Sequence, residues 1–200
     1  MIHGRRVHPP ARSVMMAASV PFHATGARMA PRPIEVQVYP AYAASVKGAW
    51  LRKVARAGLA VGDLDGEAGA GIVIANDETL RRLNRDFRGV DQVTDVLSFG
   101  DSPGEWEGDA PPAGATAAGV DFPGQPEGAR SLGEVIISYP QAERQARERG
   151  LPTERELALL VVHGMLHLLG HDHAEPDETA TMQRLEREAL ARVFPEKGRP

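Results

Sequence analysis

The chain has 200 residues, long enough for one domain with a tail, and 42% of them are apolar, which supports a sizeable core. It contains no cysteine, which excludes disulfides, iron–sulfur clusters and thiolate zinc sites, suits a reducing cytoplasm, and leaves any metal to His, Asp or Glu. No apolar run approaches the roughly 20 residues that span a bilayer, and a net charge of −4 is not that of an obvious nucleic-acid binder.

Residues 1–33 hold Arg5, Arg6, Arg12, Arg28 and Arg32 and no acid, so this segment carries +5 and leaves −9 to the remainder. Its lack of periodicity predicts a disordered extension. An Arg-rich, acid-free start is also the composition of a transit peptide, or of a start placed too early, with Met15, Met16 and Met29 as later ones. The ordered domain is expected over residues 34–196. Ile34 to Val38 alternates as a half-buried strand, and Val46 to Gly58 reads as a helix closed by Gly58. Gly71 to Ala75 is a short apolar strand. Asn76 or Asp77 then caps a helix whose apolar positions are Leu80, Leu83 and Phe87. Val93 to Phe99 is the next strand.

Residues 100–130 are rich in Gly and Pro, which predicts a flexible loop. Gly133 to Ser138 resumes as a strand, and Pro140 to Arg149 is helical up to Gly150. Thr153 with Glu156 has the spacing of a capping box opening a largely buried helix. With a last helix following the buried one, the order strand, helix, strand, helix, strand, strand, helix, helix, helix predicts a single α+β domain with a small mixed sheet of about four strands and about five helices.

His163 and His167 lie four apart on that buried helix, so both rings project from one face. Gly170 turns the chain back, and His173 follows within reach as a third ligand. Three histidines leave the fourth position of a tetrahedral zinc ion for water, the pattern of a catalytic site. The spacing equals that of the metzincin proteases, H-E-x-x-H-x-x-G-x-x-H, but their general-base Glu is Gly164 here, which removes the usual peptidase route. Gly164 has two readings: close packing against a neighbouring element, or room for a bulky substrate.

The run His163-Gly164-Met165-Leu166-His167-Leu168-Leu169-Gly170-His171-Asp172-His173 resembles the signature of the YbeY family, bacterial endoribonucleases of rRNA maturation. Leu83-Asn84, Phe87-Arg88-Gly89 and Thr94-Asp95-Val96-Leu97-Ser98-Phe99 resemble a second family block, and Leu132-Gly133-Glu134-Val135-Ile136-Ile137 a third, with Glu in place of the usual Asp. The resemblance spans about residues 34–195. It implies a zinc-dependent, single-strand-specific endoribonuclease in the cytoplasm, acting in 16S rRNA 3′-end maturation and ribosome quality control. It implies one zinc per chain on His163, His167 and His173, and an important arginine at Arg88. It implies rRNA and small-subunit components as partners, with no DNA and no membrane. The family often has Tyr where His171 stands. The general base stays open between Asp172 and Asp95, and Asp172 equally suits a role orienting a ligand imidazole. The alternative is a non-catalytic ribosome assembly factor with a zinc-stabilised fold. An acidic domain acting on RNA must rely on a local basic patch, and Arg81, Arg85 and Arg88 recur at helical spacing.

Overall fold

Every residue of the apolar run Gly69–Ala75 (β2) is buried, and the sheet is built outward from it. Ile34–Val38 (β1) pairs with it in parallel on one side, and Ser131–Ser138 (β4) in parallel on the other. Val96–Gly100 (β3) pairs antiparallel with β4, giving the order β1-β2-β4-β3 with β3 at the edge. The helices are Gly48–Val61 (α1), Asp77–Arg88 (α2), Tyr139–Glu148 (α3), Thr153–Leu168 (α4) and Pro176–Val193 (α5), with one 3-10 turn at Pro40–Tyr42. The computed structural model describes residues 34–62, 69–100 and 131–195. The expected extension over 1–33 and the expected loop beyond Gly100 lie outside those residues. The architecture is the single α+β domain with a mixed four-stranded sheet that the element order predicts.

Alternation along the strands separates two cores. Ile72, Ile74, Val135 and Ile137 join Leu51, Val54, Val161, Leu166 and Met182 from α1, α4 and α5. Val73, Leu97, Phe99 and Ile136 face the other way, against Leu80 and Leu83 of α2. Each fully buried Leu or Ile contributes about 1.5–3 kcal/mol, so α4 is held chiefly by its apolar face.

Three local expectations are corrected. Helix α1 does not close at Gly58 but runs on to Val61. Gly58 lies inside it where α1 crosses α4: a Cβ there would stand 3.2 Å from the Met165 Cβ, so the glycine sets the helix separation. Strand β3 begins at Val96 rather than Val93, because the Asp95 carboxylate takes the Val96 N–H at 2.8 Å and the Asn84 side chain holds the Gln92 carbonyl at 2.9 Å. Thr153 and Glu156 form no capping box. Pro152 is the N-cap, and the Glu156 side chain, 1% exposed, turns inward to Arg149 at 2.6 Å. A carboxylate buried to that degree needs a cation beside it, and this outweighs a cap. The capping box belongs instead to α5, between Glu175 and Glu178.

Gly164 is where α4 touches the sheet. A Cβ built on it would stand 2.4 Å from Val135 Cγ1 and 2.8 Å from Cγ2. Close packing, not room for substrate, accounts for this glycine. Val135 is β-branched and fully buried on an interior strand, so it has little freedom to give way. Gly164→Ala should therefore destabilise the protein by about 1–3 kcal/mol, although Ala gains up to about 1 kcal/mol in helix propensity. Urea unfolding checks this, and adding Val135→Ala should bring the double variant's loss well below the sum of the single ones.

Candidate metal centre

His163 and His167 stand one turn apart on α4, on the flank of the helix beside Gly164, and both are partly exposed. The helix ends in a hydrogen-bonded reversal. Gly170 adopts φ +87°, its N–H donates to the His167 carbonyl at 2.9 Å, and the His171 N–H donates to the Leu166 carbonyl at 3.0 Å. That reversal returns His173 to the helix-borne pair, with ring centroids 5.4 Å from His163 and 5.1 Å from His167. One ligand atom from each of the three rings lies within 4.8 Å of the others. Among the described residues this is the one such group that could hold a metal ion, and His171 is not in it.

The arrangement fits a tetrahedral zinc ion. Zinc–nitrogen bonds of about 2.0–2.1 Å put ligand nitrogens about 3.3 Å apart, and the Nε2 atoms of His163 and His167 are 3.1 Å apart. Two unprotonated lone pairs at that distance repel unless a cation or a shared proton lies between them. Burial lowers the pKa of His167 to about 4, and the adjacent His163 and His173 add to the shift, so this ring is held neutral as a ligand must be.

Around the histidines sit two carboxylates. Glu186 of α5 lies 2.8 Å from His163 Nδ1. Asp172 accepts the His173 backbone N–H at 2.8 Å and stands 3.5 Å from that ring's Nδ1, so it is placed to orient the third imidazole. Asp95 is not brought to the group. Its two oxygens accept from Val96 N–H, the Thr94 hydroxyl and the Gln145 amide, which makes it an anchor for the start of β3. Arg88 is exposed in the last turn of α2, outside the histidine cluster. On the same side of α2, Arg81 pairs with Asp91 at 2.7 Å and Arg85 with Asp86 at 3.0 Å. Glu186 was missed from the sequence, yet it left a signal: it lies four residues from Met182 and next to Leu185 on the helix that buries Met182, Leu185, Ala189 and Val193. A carboxylate at the border of an apolar stripe implies a partner.

A histidine pair on a buried helix, completed past a tight reversal on an α+β sheet, defines a protein equipped to hold a metal ion near its surface. The family model described as endoribonuclease YbeY matches residues 43–193. A protein named endoribonuclease YbeY from Roseiflexus sp. is 42% identical over 160 residues, 80% of this chain and 91% of the relative. Another of that name from Chloroflexus aurantiacus is 44% identical over 141 residues, 70% and 82% of the two chains. The solution structure of a Thermotoga maritima protein shares the fold with a TM-score of 0.50 at 23% identity, over 82% of this chain and 91% of that one. The chain belongs to the YbeY family of endoribonucleases. No helix among the described residues is long and apolar enough to cross a membrane.

The His167 shift carries a sign. Its folded-state pKa of about 4 lies below the ordinary 6.5, so below pH 6.5 the unfolded chain binds the proton more readily than the folded one. The metal-free protein should keep this contribution above about pH 6.5 and lose it progressively down to about pH 4. Denaturant unfolding across that window checks it. His167→Gln should flatten the slope, and an unchanged slope in that variant would remove His167 as its source.

Proposed function

We propose that residues 34–196 form a zinc-dependent endoribonuclease that hydrolyses phosphodiesters of single-stranded RNA in 16S rRNA 3′-end maturation and ribosome quality control. Its place is the cytoplasm, among small-subunit components rather than DNA or membranes. The observation that carries this reading is the convergence of the His163, His167 and His173 ligand atoms within 4.8 Å, in a chain of this family. These three residues hold one zinc ion per chain. When bound, zinc supplies Lewis acidity toward a phosphoryl oxygen and lowers the pKa of its bound water to about 7.

The remaining steps fall to the chain's own residues. Arg88 meets the substrate phosphate, whose charge grows toward the transition state, and its planar guanidinium can offer two parallel donors. Its neighbours Arg81 and Arg85 are engaged by Asp91 and Asp86, so among the described residues Arg88 is the arginine of that face without an ion pair. Asp172 keeps His173 in place through the backbone N–H. With Asp95 engaged in anchoring β3, Asp172 is the better placed of the two carboxylates to accept a proton near the histidines.

The test is zinc content together with cleavage of a single-stranded rRNA precursor. One zinc per chain and turnover abolished by chelator and restored by zinc are expected. Zinc that raises the melting temperature without any turnover would favour the non-catalytic assembly factor. Arg88→Ala should retain zinc and fold yet lose about a hundredfold in cleavage, the scale for removing one transition-state donor. Arg88→Lys should recover little of it, since Lys offers only a point charge. Cleavage at the wild-type rate by the Lys variant would show that geometry at this position does not matter.

A further inference from the structure

Helix α5 carries none of the three proposed ligands, yet it touches two of the residues that do. The Glu186 carboxylate, 15% exposed, lies 2.8 Å from His163 Nδ1. One turn from the start of α5, the Thr179 hydroxyl is 2.9 Å from the His173 carbonyl and 3.0 Å from that of Glu175, and donates to one at a time. The Glu175–Glu178 capping box fixes where this helix begins, with its N-cap two residues beyond His173.

The chemistry at His163 follows from its two nitrogens. A neutral imidazole has one N–H and one lone pair, and the partner of one nitrogen decides the state of the other. A carboxylate at Nδ1 can only accept, so the hydrogen sits on Nδ1 and the lone pair on Nε2. Nε2 is the atom that faces His167 Nε2 at 3.1 Å. Without Glu186 the ring could flip or change tautomer and turn an N–H toward that point.

We propose that α5 is the positioning element of the metal centre, and that Glu186 is a positioning residue that commits His163 to coordination through Nε2. The inference rests on the zinc reading above. Carboxylate–histidine contacts of this kind raise the basicity of the imidazole and hold its plane, and their loss typically costs about 10–100-fold in metal affinity.

The experiment is zinc affinity by chelator competition on the full chain, for wild type, Glu186→Ala and Glu186→Gln. It is read beside the absorption spectrum of the cobalt-substituted proteins and the melting temperature in excess chelator. Glu186→Ala should weaken zinc by about 10–100-fold and alter the cobalt bands. Glu186→Gln keeps an oxygen that can accept the Nδ1 hydrogen, so it should recover most of the affinity and the wild-type spectrum. A purely structural role for Glu186 would lower the melting temperature in chelator and leave the spectrum alone. Wild-type zinc binding with equal affinity in Glu186→Ala would overturn the positioning role while leaving the zinc site standing. Glu186→Gln as weak as Glu186→Ala would overturn the tautomer argument. No zinc on the wild type would remove both readings together.

Discussion

The contact between Gly164 and Val135 governs where everything at the metal centre can be. With no side chain at that point, α4 lies flat enough on β4 that a single added carbon would stand 2.4 Å from a valine methyl. His163 and His167 project from the flank of the helix adjacent to that contact. A helix standing off by even a methyl's width would carry both rings, and the reversal that leads to His173, outward from β4 together. Gly58 does the same on the other side, where α1 crosses α4 beside Met165. Two glycines at helix-interior positions, each costing about 1 kcal/mol against Ala, are thus the means by which packing sets where the histidine cluster sits on the domain.

The centre is electrostatically uncomfortable without a cation. Three imidazoles lie with centroids 4.5–5.4 Å apart, and a charge on His163 or His173 disfavours one on His167. Burial adds to this at His167, for which desolvation is the largest cause of the lowered pKa. A fold that gathers neutral lone pairs in this way is pre-organised for a positive ion, since the cost of bringing them together is already met by apolar burial elsewhere on α4. Carboxylates at the rim, Glu186 and Asp172, offset the remaining polarity and aim the rings.

Much of this was legible in the sequence because it depends on local spacing. Four-residue spacing on a helix, a glycine just past its end and a histidine three residues further on dictate the ligand cluster with little help from the rest of the chain. The apolar run of β2 and the Asn76 cap, whose Oδ1 accepts the Thr79 N–H at 2.9 Å, are equally local. What escaped depends on partners distant in sequence. Glu156 looked like half of a capping box because its spacing from Thr153 fits, but Arg149 stands across the turn from α3 and draws the carboxylate inward. Gly58 looked like a helix end because nothing in the sequence shows that α4 passes close to it. Glu186 lies 23 residues from His163, beyond the range of any local pattern.

The acidic balance of the chain poses a problem for an enzyme of RNA, and the arrangement of α2 suggests how it is resolved. Arg81, Arg85 and Arg88 lie along one side of this helix, but they are not equivalent. Arg81 is held in two parallel hydrogen bonds by Asp91, and Arg85 leans on Asp86. Exposed pairs of this kind contribute little to stability, so folding alone gives little reason for them. Their electrostatic effect is larger than their energetic one: each acid cancels the field of the arginine it touches. The positive potential of the helix side is thereby concentrated at its C-terminal end, where Gly89 in the left-handed conformation begins the loop toward β3. Among the described residues Arg88 is the arginine on that side without an ion pair, and Arg82, exposed on a neighbouring face of α2, has none either. Net charge governs long-range attraction, whereas a single uncompensated guanidinium governs where a phosphate comes to rest. On the reading proposed above, a domain that is acidic overall can still seat one phosphate at Arg88, and selectivity of that kind suits a nuclease better than a uniformly basic surface, which would hold RNA in many registers.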